Sequence, residues 1–141
     1  MSYSPRSQPR HFPCPCRSAD DDPPPYTACC HPWHSGLSEG IHAPTPEVLM
    51  RSRYSAYVVG EINYLLATWL PSTVPGELDL SPVKWIGLEV RHAEESGDAG
   101  VVEFVARCRV NGRAQRMHEI SRFVREDRRW YYIDGQVLDD G

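Results

Sequence analysis

Four of the chain's five cysteines fall within one short stretch near the N-terminus, as Cys14-Pro15-Cys16 and Cys29-Cys30. Two tight pairs on either side of a loop can converge on a single point. Four thiolates there satisfy a d¹⁰ ion such as zinc at about 2.3 Å without geometric strain. Adjacent cysteines seldom bridge each other, yet both can face one ion, so the pattern points to metal rather than disulfide. Residues 14–44 are polar, rich in proline and without helical or strand period. A segment of that kind is too small to build a core, and metal binding would supply the free energy that orders it.

The rest of the chain bounds the setting. With 141 residues, 40% hydrophobic and 24% charged, there is room for one modest domain and a small attached module. A net charge of -4 gives no general pull towards nucleic acid or an anionic membrane. No apolar run approaches the roughly 20 residues of a bilayer span. The opening residues, MSYSPRSQPRH, lack the apolar stretch of a signal peptide, and residues 1–13 read as a flexible N-terminus. A cytoplasmic location is therefore expected, where thiols stay reduced and available to metal.

Helix signals begin at Thr45-Pro46-Glu47: an N-cap, a proline suited to the first helical position and an acid that complements the dipole. This helix should reach about Val59 and stop at Gly60. A second is expected over about Ile62–Trp69, ended by Pro71. From Lys84 the pattern changes to alternation, giving strands at about Lys84–His92, Gly100–Val110, Ala114–Arg125 and Arg129–Val137. Asn111-Gly112 is a strong hairpin signal. Helices followed by an antiparallel meander read as α+β, with a curved sheet closing over the first helix.

Cys14-Pro15-Cys16, Ser18, Tyr26, Cys29 and Cys30 resemble the SEC-C motif. Arg17 stands where that motif usually has glycine, and Asp20–Pro25 lengthen its loop. The resemblance implies a zinc module on Cys14, Cys16, Cys29 and Cys30, with His31 or His34 as alternates for the last ligand. The match widens through Leu49–Tyr57, Tyr64–Trp69, Trp85–Leu88, Phe104–Arg107, Ser121–Phe123 and Trp130–Gly135, which resemble the YchJ family of uncharacterised bacterial proteins. That resemblance implies a cone-like sheet of the nuclear transport factor 2-like (cystatin-like) kind over residues 45–138, preceded by the zinc module at 14–44. It implies no established reaction.

The interior must therefore be read from its residues. Leu49, Met50, Ala56 and Tyr57 define the buried face of the first helix, and at about 100° per residue Arg53 falls in the middle of it. A guanidinium there needs an acidic or carbonyl partner. Alternation from Phe123 turns Ser121, Glu119 and Met117 inward with it. Arg53 and Glu119 then form either a buried ion pair or the polar end of a ligand pocket shared with Tyr57, Trp69 and Trp130. A slip of one residue would exchange Glu119 for His118, which otherwise reads as a surface histidine. Cys108 reads as a small core residue and Asp134-Gly135 as a turn. Arg107, Arg109, Arg113 and Arg116 read as a solvated sheet face rather than a nucleic-acid contact.

These readings favour a binding or accessory protein over an enzyme. The zinc module would dock a protein or ribosome-like partner, by analogy with the SEC-C module at the tail of the SecA translocation motor. The alternative is a small-molecule-binding protein or enzyme that uses the interior of the cone.

Overall fold

The computed structural model describes residues 12–78, 80 and 83–138, so most of the N-terminal stretch expected to be flexible lies outside the described residues. Helices α1 (His31–Gly36), α2 (Pro46–Val59) and α3 (Ile62–Ala67) precede strands β1 (Lys84–Ser96), β2 (Ala99–Val110), β3 (Arg113–Glu126) and β4 (Arg129–Leu138). The strands form one antiparallel sheet in the order β1-β2-β3-β4. The architecture is α+β, a curved sheet wrapped on a few helices.

Local chemistry accounts for the boundaries of α2. The Thr45 hydroxyl accepts from the Val48 amide at 3.1 Å, and Pro46 occupies the first turn, where a missing N–H leaves nothing unpaired. At the other end Gly60 takes a φ of 83° and its amide donates to the Ala56 carbonyl. Helix α3 is shorter than its periodicity suggests. The Tyr132 amide donates to the Thr68 carbonyl and the Leu70 amide to the Tyr132 carbonyl, each at 2.8 Å, so residues 68–70 leave the helix to bond with β4.

The β2–β3 hairpin turns on Asn111 and Gly112, at φ 53° and 78°, as a two-residue turn of the primed type requires. Strand β1 continues to Ser96 rather than His92. Its last residues are exposed on both faces and so show no alternation, yet they stay in register with β2, Glu94 opposite Val101. Register breaks at Trp85/Gly87, Val90/His92 and Arg122/Phe123 help the sheet bend. Its concave face carries Val102, Phe104 and Phe123, buried with Leu49, Met50 and Leu65 of the helices.

Residues 14–44 hold more regular structure than expected: α1 and three 3₁₀ turns, at Pro15–Arg17, Tyr26–Ala28 and Leu37–Glu39. Elements of three to six residues are too short to show a period, which is why the sequence pattern misses them.

Candidate metal centre and interior cavity

The first 3₁₀ turn sets Cys14 and Cys16 on one arm of a small loop. The second delivers Cys29, and Cys30 begins α1. The arms are tied by backbone bonds from Cys14 to Pro24 and from Tyr26 to Phe12, both 2.8 Å, which leave Asp20–Asp22 as an exposed bulge. Arg17 lies within the first turn and has no positive φ, so glycine is not needed there.

All four sulfurs lie within 4.8 Å of one another. Cys16 Sγ is 3.8 Å from Cys14 Sγ, 3.6 Å from Cys29 Sγ and 3.5 Å from Cys30 Sγ. A tetrahedral ion with metal–sulfur bonds of about 2.3 Å spaces its ligands about 3.8 Å apart, so the donor set fits such an ion closely. Neighbouring thiols hold Cys14 far below the ordinary thiol range, bring Cys29 down to about 7 and push Cys16 and Cys30 up. Two thiolates are favoured in this cluster and two are opposed, a tension that a bound cation relieves.

The alternates lie outside this set. The Tyr26 hydroxyl donates to His34 Nδ1 at 2.6 Å, and His34 Nε2–H donates to the Ser52 carbonyl at 2.7 Å. Both ring nitrogens are thus engaged, and burial holds the imidazole below its usual pKa, in the neutral form. His34 is a strut between the cysteine loop and α2, not a fourth ligand. His31 sets its ring edge-on to Tyr26, with centroids 5.3 Å apart.

One side of α2 carries the whole cluster. Ser55 Oγ is 3.5 Å from Cys14 Sγ, and the Cys30 thiol reaches the Arg51 carbonyl at 3.6 Å. Arg51 also donates from Nη1 to the Cys16 carbonyl at 3.0 Å. Ser52 and Ser55 are fully buried. Two small polar residues three apart on one face of α2 are the sequence signal of this close backbone approach.

The opposite side of α2 faces a partly open cavity of about 290 Å³ between helix and sheet. Arg53, Tyr57 and Glu119 line it together, as do Met117, Ser121 and Tyr132. Arg53 is only 5% exposed. Its Nη1 donates to the Leu65 carbonyl at 2.8 Å and to Thr68 Oγ1 at 2.7 Å, while its charged carbon lies 4.4 Å from the Tyr132 ring centroid and 5.0 Å from that of Trp69. Of the two arrangements open to this pair, the ion pair is absent among the described contacts: Arg53 is held by a carbonyl, a hydroxyl and two aromatic faces, and Glu119 accepts from the Ser121 hydroxyl at 2.7 Å. Both charges face the same space without meeting.

Trp69 stands behind Arg53, edge-on to Tyr132, and does not line the cavity. Trp130 is also outside it. It packs near the β1–β2 hairpin end of the sheet, where bare Gly100 leaves room for Pro46 and the indole. Gly135 is no turn residue. It lies within β4 opposite Ser121, and a Cβ there would collide with the Glu119 carboxylate. Asp134 beside it takes both oxygens to Arg122 at 2.7 Å. His118 does face away from Glu119, but it is 9% exposed rather than a surface residue, with Nε2 2.7 Å from a Glu103 oxygen across the ladder. Cys108 is buried.

Comparison with known proteins fits this geometry. A family model described as YchJ, middle NTF2-like domain, matches residues 45–135. A UPF0225 protein of Polaromonas naphthalenivorans is 52% identical over 133 residues, covering 87% of this chain and 96% of its own. The crystal structure of a SEC-C motif containing protein from Psychrobacter arcticus superposes with a TM-score of 0.78 at 32% identity, over 95% of this chain and 87% of that one. The solution structure of a SEC-C motif containing protein from Rhodopseudomonas palustris gives 0.75 at 32% identity, over 91% and 100%.

Proposed function

The chain belongs to the YchJ family, and on that footing we propose that it is a small-molecule-binding protein whose cysteine module is a structural zinc site. The observation that carries the reading is the cavity itself. Its walls are mostly apolar and aromatic, and two charged groups, Arg53 and Glu119, converge on it without neutralising each other. Small-molecule sites are built this way, from an apolar concavity with a few placed polar groups. Zinc on Cys14, Cys16, Cys29 and Cys30 supplies folding free energy and, with four protein ligands, leaves no position open for substrate. Cysteines kept free of disulfides suit a reducing cytoplasm, and no helix among the described residues is long and apolar enough to cross a membrane.

The burial of the module against α2 supports a structural role. A docking role for a protein partner is favoured only by the bulge at Asp20–Asp22, which protrudes from it. Purified protein examined by native mass spectrometry tests the main reading. About one zinc per chain is expected, and a further small-molecule mass that Ala106→Trp, which fills the cavity, fails to retain. A cavity that accepts no organic probe in solution would remove the binding reading. A chain folded equally well without metal would remove the zinc reading.

A further inference from the structure

Resting on the reading of the cavity as a binding site, we propose that its ligand is a small zwitterion of the α-amino-acid type, with its carboxylate on Arg53, its ammonium group on Glu119 and an apolar or aromatic body among the rings.

A guanidinium has five N–H donors. Two of Arg53's are spent, both on Nη1, toward the Leu65 carbonyl and Thr68 Oγ1. These anchors fix the group so that one edge is left over. Beyond the Tyr57 hydroxyl, which lies within hydrogen-bond reach of the guanidinium, Nε and Nη2 have no partner among the described residues. Arg53 and Tyr57 both line the cavity. That edge is the fork which takes both oxygens of a carboxylate.

Glu119 presents the complementary half. Ser121 donates to Oε2, and Oε1 has no hydrogen-bond partner among the described residues. The bare strand position at Gly135 lets this carboxylate lie close against β4. An unengaged carboxylate oxygen on a mostly apolar wall calls for a cation or an N–H donor. The cavity thus holds one full positive and one full negative charge, with no ion pair between them. A simple anion satisfies Arg53 but is opposed by Glu119, and a simple amine meets the reverse. A molecule carrying both charges satisfies both. A volume of about 290 Å³ lies just below the about 300–1,000 Å³ typical of small-molecule sites. That is space for an amino acid rather than a large cofactor.

Of the three methionines, Met50 and Met117 line the cavity, so methyl-labelled methionine reports on it directly. The full chain would be titrated with L-phenylalanine and L-leucine, then with 3-phenylpropionate, phenethylamine and uncharged indole. The expected result is saturable movement of both methyl signals by an amino acid, about tenfold tighter than by either singly charged analogue. Glu119→Gln should weaken L-phenylalanine by about tenfold and leave 3-phenylpropionate unweakened, with the rest of the spectrum unchanged as the control on folding. If a singly charged analogue binds as tightly as the amino acids, or indole binds and they do not, the zwitterion is overturned while the cavity reading stands. If nothing, indole included, moves the methionine signals, both fall.

Discussion

The Glu119 carboxylate occupies the space that a side chain at Gly135 would fill, so a residue missing from one strand makes room for a charge on its neighbour. Both positions lie on paired strands, and the charge is steadied by Ser121 two residues along β3. Gly135→Ala should push the carboxylate aside and destabilise the fold by about 1–3 kcal/mol, the usual range for overpacking. The same substitution placed on Glu119→Ala should lose most of that penalty. Urea unfolding of the four proteins in the cycle measures the coupling, and additive effects would show that the two residues do not compete for space.

Cys16 Sγ lies within 3.8 Å of all three other sulfurs, so its removal tests the proposed zinc site directly. Cys16→Ser should abolish stoichiometric metal and raise amide exchange through residues 14–36. The effect should carry into α2, because Arg51, Ser52 and Ser55 hold the module from that helix. Hydrogen exchange with and without a chelator checks this. Exchange confined to the loop, with α2 unaffected, would mean that the module and the cavity wall are mechanically separate.

Arg53→Lys keeps the charge but not the shape. A lysine ammonium cannot hold the Leu65 carbonyl and Thr68 hydroxyl in the same planar arrangement, nor lie flat on Tyr132 and Trp69. Loss of about 1–3 kcal/mol is expected, in line with hydrogen bonds to a buried charged group. Glu119→Gln should cost clearly less, because no ion pair joins it to Arg53. Equal losses from the two variants, by thermal or urea unfolding, would contradict the separate anchoring of the charges.

The sequence carries the sheet and α2 because both advertise themselves locally: Thr45, Pro46 and Gly60 bracket the helix, and Asn111-Gly112 sets the longest hairpin. It also turns Met117, Glu119, Ser121 and Phe123 to one face, since alternation leaves no other choice once Phe123 is inside. Which residue partners Arg53 is not legible. Of the acidic or carbonyl partner that Arg53 requires, the structure supplies the Leu65 carbonyl on α3, joined by the Thr68 hydroxyl just beyond that helix and by two aromatic faces. Backbone acceptors leave no mark in sequence. The same limit hides His34, whose histidine-rich setting suggests metal while its bonds run to Tyr26 and the Ser52 carbonyl. Trp130 misled for a different reason. An inward-facing tryptophan need not reach the cavity when the strand that carries it enters the core at the far end.

Tyr64 offers a test of how firmly the helices close over the core. Its hydroxyl lies 2.7 Å from Ser52 Oγ, whose own proton goes to the Leu49 carbonyl at 2.9 Å, so the phenol is the donor. Burial is the main cause that pushes its pKa from 10.0 up to about 12, outweighing the Ser52 bond, which acts the other way. Below pH 10 the phenol is protonated in folded and unfolded chains alike, and stability is at its full value. Between about pH 10 and 12 the unfolded chain releases this proton first, so stability falls, by up to about 2–3 kcal/mol from this group. Above the folded pKa no more is lost. Ultraviolet titration should therefore show a high-pH phenol that Tyr64→Phe removes, and the variant's stability should decline less steeply over the same interval. A phenol titrating near 10 in the folded protein would mean that water reaches Tyr64 and that the contact between α2 and α3 is looser than described.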